Sequence, residues 1–268
     1  MRRSLALLAV LLVAAPAAAR AKPFSPWSAP MRIAFVGPAN ARAGIVVLHP
    51  GAWWLRAPDA LAVELPQAQR FAALGLLAAD VDYRNGVFGI RDVRRAYDRL
   101  ARRLGAGAPI CVFGESAGGH LGLLLAEARP VACVVARAPV VTPSLLAADG
   151  DPATYAFAQA AFANRPDAWA ASDVLRRASR LPPTLITVAS DDPVVSPAQA
   201  RRLAVAAPQV ALTELAPGQA PFTHGTAGPS ALAAAEAAET AFVERYSPED
   251  ASSAASIAAS SRALTAAR

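Results

Sequence analysis

"ICVFGESAGGHLGLLLAEA" (residues 110–128) opens as a run of strand formers, breaks at Gly114, shows a single hydroxyl at Ser116 and continues as a helix-compatible stretch. The run at 110–114 lacks polar alternation, the pattern of a strand buried on both faces of a parallel sheet. After Gly118 and Gly119 come Leu121, Leu123, Leu124 and Leu125, which read as a helix folded back onto that strand. A serine at such a corner sits where a strand-to-helix turn strains the backbone, and flanking glycines remove the side chains that would crowd it. The start of the helix directs amide hydrogens and the positive end of its dipole at the same point.

Working outward, β-like runs lie at 31–37, 44–50, 76–83, 131–139, 184–190 and 210–216, with helix-like segments between most of them. That alternation predicts an α/β fold: a doubly wound, mostly parallel sheet flanked by helices, spanning residues 22–246. The 268 residues, 54% hydrophobic, suffice for one such domain. Alternation lapses at 142–180, where a small lid is expected. The Ala/Ser-rich segment 247–268 reads as a frayed or disordered tail.

The opening "MRRSLALLAVLLVAAPAAARAKP" combines two arginines, an apolar run from Leu5 to Val13 and small residues up to Ala21. This is the plan of a secretory signal peptide over residues 1–21. The alternative, a retained anchor, is disfavoured because the apolar run falls short of the roughly 20 residues a spanning helix needs. The mature chain is thus expected in a periplasm or outside the cell, with no stable membrane insertion. Disulfides are permitted there, but Cys111 and Cys133 both fall on apolar strand-like runs and read as two buried free thiols in preference to a bridge. Two cysteines and three histidines form no cluster with zinc-ligand spacing, so no metal or cofactor is expected.

The formal net charge is +6, and Lys22 is the only lysine. The densest arginine segment, "RDVRRAYDRLARRLGAG" (91–107), places Val93, Tyr97, Leu100 and Leu104 on one helical face and the arginines largely on the others. A solvated amphipathic helix accounts for it. No nucleic-acid-binding module accompanies the charge, so a nucleic-acid partner is not expected, and anionic envelope partners are the class it suggests.

"GESAG" (114–118), between a strand and a helix, meets the context of the G-x-S-x-G turn. A serine needs a base within hydrogen-bond reach and a third group to orient that base. His49 ends an early strand and His120 rides the helix beyond the serine, so both read as structural. His224, in "APFTHGTAG" after the last strand, remains as the candidate base. The carboxylate should precede it at a strand end, where Asp191 and Asp192 stand, Asp192 being preferred. Backbone amides of Gly51 and Ala52 in "VLHPGAWW" (47–54), with that of Ala117, are candidates for holding an oxyanion; Pro50 has no N–H to offer.

The pieces "HPGAWW" (49–54), "VDYR" (81–84), "GESAGGHL" (114–121), "SDDPVV" (190–195) and "THG" (223–225) together resemble the α/β-hydrolase fold. Within it they resemble the hormone-sensitive-lipase-like, feruloyl-esterase-like and kynurenine-formamidase-like serine esterases. The likeness spans about residues 45–224 and departs from the family's pattern at Pro50 and Ala52, where glycines are usual, and in lacking a large cap. It implies Ser116 as nucleophile, His224 as base, Asp192 as acid and two-step acyl transfer on a small-molecule ester. A histidine base must be neutral to act, so activity is expected to rise with pH toward neutral. A formamidase, a peptidase on the same fold and a non-catalytic envelope binding protein are the alternatives. The sequence leaves oligomeric state undetermined.

Overall fold

The computed structural model describes residues 30–54 and 60–247. The expected leader (1–21) and the tail beyond residue 247 lie outside them. Seven strands form one sheet: β1 (Arg32–Val36), β2 (Gly44–Leu48), β3 (Leu77–Asp82), β4 (Ile110–Glu115), β5 (Cys133–Arg137), β6 (Thr184–Ala189) and β7 (Val210–Leu215), in the spatial order β1-β3-β2-β4-β5-β6-β7. Every pairing is parallel except that of β1 with β3 at the edge. Strands β2 to β6 are almost wholly buried, which is why their sequences run apolar without alternation. A further hairpin, β8 (Ala220–Phe222) with β9 (Gly225–Ala227), stands apart from the sheet.

Helices cover both faces. On one lie α1 (Ala60–Ala72) and α8 (Pro229–Tyr246), packed on Ile45, Val47, Phe113 and Val135. On the other lie α2 (Val87–Leu104), α3 (Ala117–Ala126) and α7 (Pro197–Ala206), packed on Val46, Leu48, Val112 and Ile186. Odd and even positions of one strand thus feed two separate cores. In α2, Val93, Tyr97 and Leu100 are buried as the 3.6-residue period predicts.

The stretch 142–180 is a chain of short helical pieces on the α3 side. It contains α4 (Leu146–Asp149), α5 (Pro152–Ala158), a π-helical turn (Gln159–Ala163), α6 (Pro166–Ala171) and a kinked 3₁₀ segment (Val174–Arg180). Asp151 caps α5, its carboxylate accepting the Thr154 N–H at 2.7 Å, and Pro152 and Pro166 occupy first-turn positions where no N–H is needed.

The reading of Cys111 and Cys133 as free thiols is overturned: they form a disulfide. The reason is register. β4 pairs with β5 in parallel so that Cys111 stands directly across from Cys133, both facing the α1–α8 side, with Cα atoms 4.6 Å apart. Thiol titration of the denatured, unreduced chain should therefore find no reactive thiol until a reductant is added. Cys111→Ala/Cys133→Ala should lower the unfolding free energy by about 3 kcal/mol, the loop-closure value for a bridge enclosing some 20 residues.

Candidate active site

The chain leaves β2 for β3 on one side and later enters β4 on the other, so the strand order reverses between β2 and β4. In an open α/β sheet the crevice for a ligand lies at the carboxyl ends of the strands at that reversal. Here those ends are the 49–54 turn after β2 and Ser116 after β4, aligned by the pairing of Leu48 with Gly114.

Ser116 has φ 51° and ψ −117°, a region that non-glycine residues seldom occupy. Two backbone bonds hold it: its N–H donates to Arg137 O at 2.8 Å, and its own carbonyl accepts from His120 N–H at 3.0 Å. A side chain on Gly118 would collide with the carbonyl oxygens of Leu48 and His49, and one on Gly114 with the Gly118 carbonyl. The two glycines of the pentapeptide therefore set how closely the serine corner nests against the end of β2.

His224 stands in the two-residue turn of the β8–β9 hairpin. Its Nδ1 lies 3.1 Å from Asp192 Oδ2, and the other carboxylate oxygen, Oδ1, accepts from the N–H groups of Val194 (2.8 Å) and Val195 (2.9 Å). Asp191 does something else. It accepts from the Thr226 N–H (2.9 Å) and hydroxyl (2.6 Å), so it pins β9 rather than the histidine ring. The Thr226 hydroxyl bond, then the amide bond, holds the Asp191 carboxyl below the usual carboxylate range. Thr223, at φ 49°, is strained by this turn, and a Cβ at Gly225 would strike Ala189 and Asp191. Ser116 and His224 make no direct hydrogen bond with each other, as is common before substrate tightens a site.

The turn after β2 contains three consecutive residues with positive φ: Gly51 (128°), Ala52 (48°) and Trp53 (61°). It closes by the Trp54 N–H on Gly51 O at 3.0 Å. Among the described residues, the amides of Gly51, Ala52 and Ala117 donate to no protein group, which leaves them available to an oxyanion in the crevice. Tyr83 supports the turn from behind. Its ring stacks on His49 at 4.1 Å and its hydroxyl donates to His49 O at 2.6 Å.

His49 and His120 are structural here, each for a visible reason. The Trp53 indole N–H donates to His120 Nδ1 at 3.1 Å; since an indole can only donate, His120 carries its proton on Nε2 and gives it to Ser172 O at 2.8 Å. Trp54 Nε1 donates to Phe157 O at 2.9 Å. The 49–54 turn is thereby tied to the helical insertion through two tryptophans.

Beside the crevice, on the α8 side, a cavity of about 480 Å³ is lined by Glu115, Arg137, Phe222, Thr223 and Glu236, without Ser116 or His224. It is distinct from the place where the candidate residues meet.

Burial lowers the His120 pKa to about 4. An unfolded histidine titrates near about 6.5, so His120 favours the folded state fully above that pH. The contribution is lost as pH falls from about 6.5 to about 4, because the unfolded chain takes up a proton that the folded one refuses. The stability difference between the wild type and His120→Ala should shrink over that interval by up to about 3 kcal/mol, at about 1.4 kcal/mol per pH unit, and stay flat above pH 7. Denaturant melts of the pair across pH 4 to 8 measure it.

Similarity to known proteins agrees with this geometry. A Mycobacterium tuberculosis puromycin-hydrolyzing peptidase superposes with a TM-score of 0.61 at 19% identity, covering 78% of this chain and 35% of its own. This chain thus spans about a third of that protein. An esterase from Thermogutta terrifontis gives a TM-score of 0.59 at 21% identity, covering 80% of this chain and 86% of its own. A monoacylglycerol lipase from Paleococcus ferrophilus gives 0.56 at 15%, with 80% and 98% coverage. No curated protein matches in sequence. The family model of the prolyl oligopeptidase family matches residues 77–248. That match covers nearly two thirds of the chain, and with the α/β-hydrolase sheet described above it establishes that the chain belongs to the prolyl oligopeptidase family.

Proposed function

We propose that this serine-hydrolase-family chain cleaves carboxylic esters of small soluble substrates through an acyl-enzyme on Ser116, in a periplasm or outside the cell. The observation that carries the reading is the orientation of Asp192, whose Oδ1 is committed to two backbone amides and whose Oδ2 is left to face His224 Nδ1. A carboxylate fixed in that way accepts Nδ1–H and leaves the other ring nitrogen, Nε2, to take a proton.

In the proposed cycle His224 Nε2 accepts the Ser116 proton as Oγ attacks the ester carbonyl. The developing oxyanion is held by the amides of Gly51, Ala52 and Ala117. The C–O bond to the leaving alkoxide breaks as His224 returns the proton to it. Water, deprotonated by the same nitrogen, then releases the acid and restores the serine. No step needs a metal or cofactor.

A second reading has its own support. The prolyl oligopeptidase family and the puromycin-hydrolyzing peptidase favour an amide substrate on the same residues. Both reactions share the acyl-enzyme, and the leaving group separates them. A non-catalytic binding role is the third reading.

Two measurements test the proposal. Initial rates on nitrophenyl acetate, butyrate and octanoate, beside aminoacyl nitroanilides, should show ester turnover, and Ser116→Ala should fall at least a thousandfold. Amide turnover exceeding ester turnover favours the peptidase reading, and folded but inert wild type favours binding. Asp192→Asn supplies the second. Val194 and Val195 N–H require an acceptor, so the Asn oxygen stays on them and its NH₂ turns to His224 Nδ1. The proton is then forced onto Nε2, where it cannot accept one from serine, and kcat should drop by about 10³ to 10⁴ with little change in KM.

A further inference from the structure

Helix α2 presents an arginine ridge that the proposed chemistry does not use. Arg91, Arg95, Arg99 and Arg103 are exposed at four-residue intervals along one side of the helix, with exposed Arg102 beside the last of them. At 1.5 Å per residue this is a line of guanidinium groups about 18 Å long. The nearby carboxylates are already taken: Asp92 binds Arg84, Asp98 binds Arg129 and Glu127 binds Arg177. Among the described residues, none of the five ridge arginines is in an ion pair, and Arg103 lies over the Phe35 ring at 3.9 Å. The 3₁₀ segment, packed against α3 and α7 on the same side of the sheet, adds exposed Arg176 and Arg180. On the opposite side, Glu236 and buried Glu239 of α8 are taken by Arg137 and Arg70, leaving exposed Glu244 beside Arg245.

Among the described residues, α2 thus carries a row of five exposed arginines outside any ion pair. We propose that this ridge is a docking surface for a membrane bearing anionic phosphate headgroups. Guanidinium forks match phosphate oxygens in pairs, which suits an all-arginine ridge. The exposed positions of α2 offer no large apolar side chain, so contact is adsorption at the headgroup level, without insertion. Single-stranded nucleic acid is a poorer fit, because its binding sites interleave aromatic platforms with basic residues along a groove. Here Tyr97 is buried, Phe35 is capped by Arg103, and the arginines follow a convex ridge.

Co-sedimentation of the full chain with vesicles of phosphatidylcholine alone, and of phosphatidylcholine with 30% phosphatidylglycerol, tests this. Insertion of the leader's apolar run would appear on both vesicles, and its own basic residues add an anionic contribution, so the ridge predicts a further anionic component, released between 50 and 500 mM salt, that the ridge substitution removes. Arg91→Gln/Arg95→Gln/Arg99→Gln should weaken that component about a hundredfold, from about 1 kcal/mol per charge near such a surface. Its circular dichroism and its soluble-ester rate should match the wild type, as none of the three substituted arginines bonds, among the described residues, to a residue of the proposed site. The proposal is overturned if the anionic component is absent, if it survives the triple substitution, or if a DNA duplex at equal phosphate concentration binds more tightly than the vesicles. Arg2→Gln/Arg3→Gln/Arg20→Gln/Lys22→Gln, which removes the positive side-chain charge of residues 1–22, should leave most of the anionic component in place, and its loss there also overturns the proposal.

Discussion

The start of α3 rests directly on the carbonyl oxygens that end β2, and a methyl group at Gly118 would destroy that contact. With Gly118 bare, the helix begins one step after the strand ends, and the only route for the chain between them is the strained conformation of Ser116. Such a conformation costs about 1 to 3 kcal/mol and persists where the surroundings over-determine it. They do so here: β2 and β4 are buried on both faces, and the Ser116 amide and carbonyl are both bonded. The same approach leaves the Ala117 N–H at the head of the helix facing the crevice and fixes the His49 carbonyl, which Tyr83 grips from the other side. Serine corner, amide turn and crevice are thus one consequence of a missing Cβ.

The seven sheet strands were legible because burial on both faces writes itself into a sequence as uninterrupted apolar runs. Their order was not, since the antiparallel placement of β1 beside β3 depends on pairings between residues some fifty positions apart. The disulfide was misread for the same reason: each cysteine looks like a small core residue, and only register shows that they face each other. The β8–β9 hairpin escaped notice because three-residue strands containing Pro221 carry no periodic signal. Around the site, the serine corner was visible as a motif in context. The preference for Asp192 over Asp191 could be read from position; the bonds behind it, to the Val194 and Val195 amides for one carboxylate and to Thr226 for the other, could not.

A carboxylate directly before the serine would be costly at a buried strand end. Burial pushes the Glu115 carboxyl up, while Arg137, its register partner on β5, works against that shift at 3.1 Å. Arg137 in turn is bound by Glu239 of α8 through two bonds of 2.8 and 2.7 Å, and Glu239 also takes Arg70 of α1. The chain of charges ties α1, α8, β4 and β5 together immediately behind Ser116. Removing one member would leave the others as buried, uncompensated charges, which costs more than the pair itself contributes.

The helical insertion is more than a wall for the crevice. Ala52 and Trp53 have positive φ without being glycine, so the 49–54 turn would relax if nothing held it. What holds it is the insertion. Trp53 is buried against Phe162 of the π-helical turn and bonded through His120 to Ser172, and Trp54 is bonded to Phe157. A large indole buried with its N–H satisfied contributes about 4 to 6 kcal/mol, enough to offset strain of this size. It follows that the amides of Gly51 and Ala52 are aimed by residues a hundred positions later in the chain. Shape of the crevice and placement of these candidate amides are therefore coupled, so a substitution in 157–172 that loosens Trp53 alters both at once.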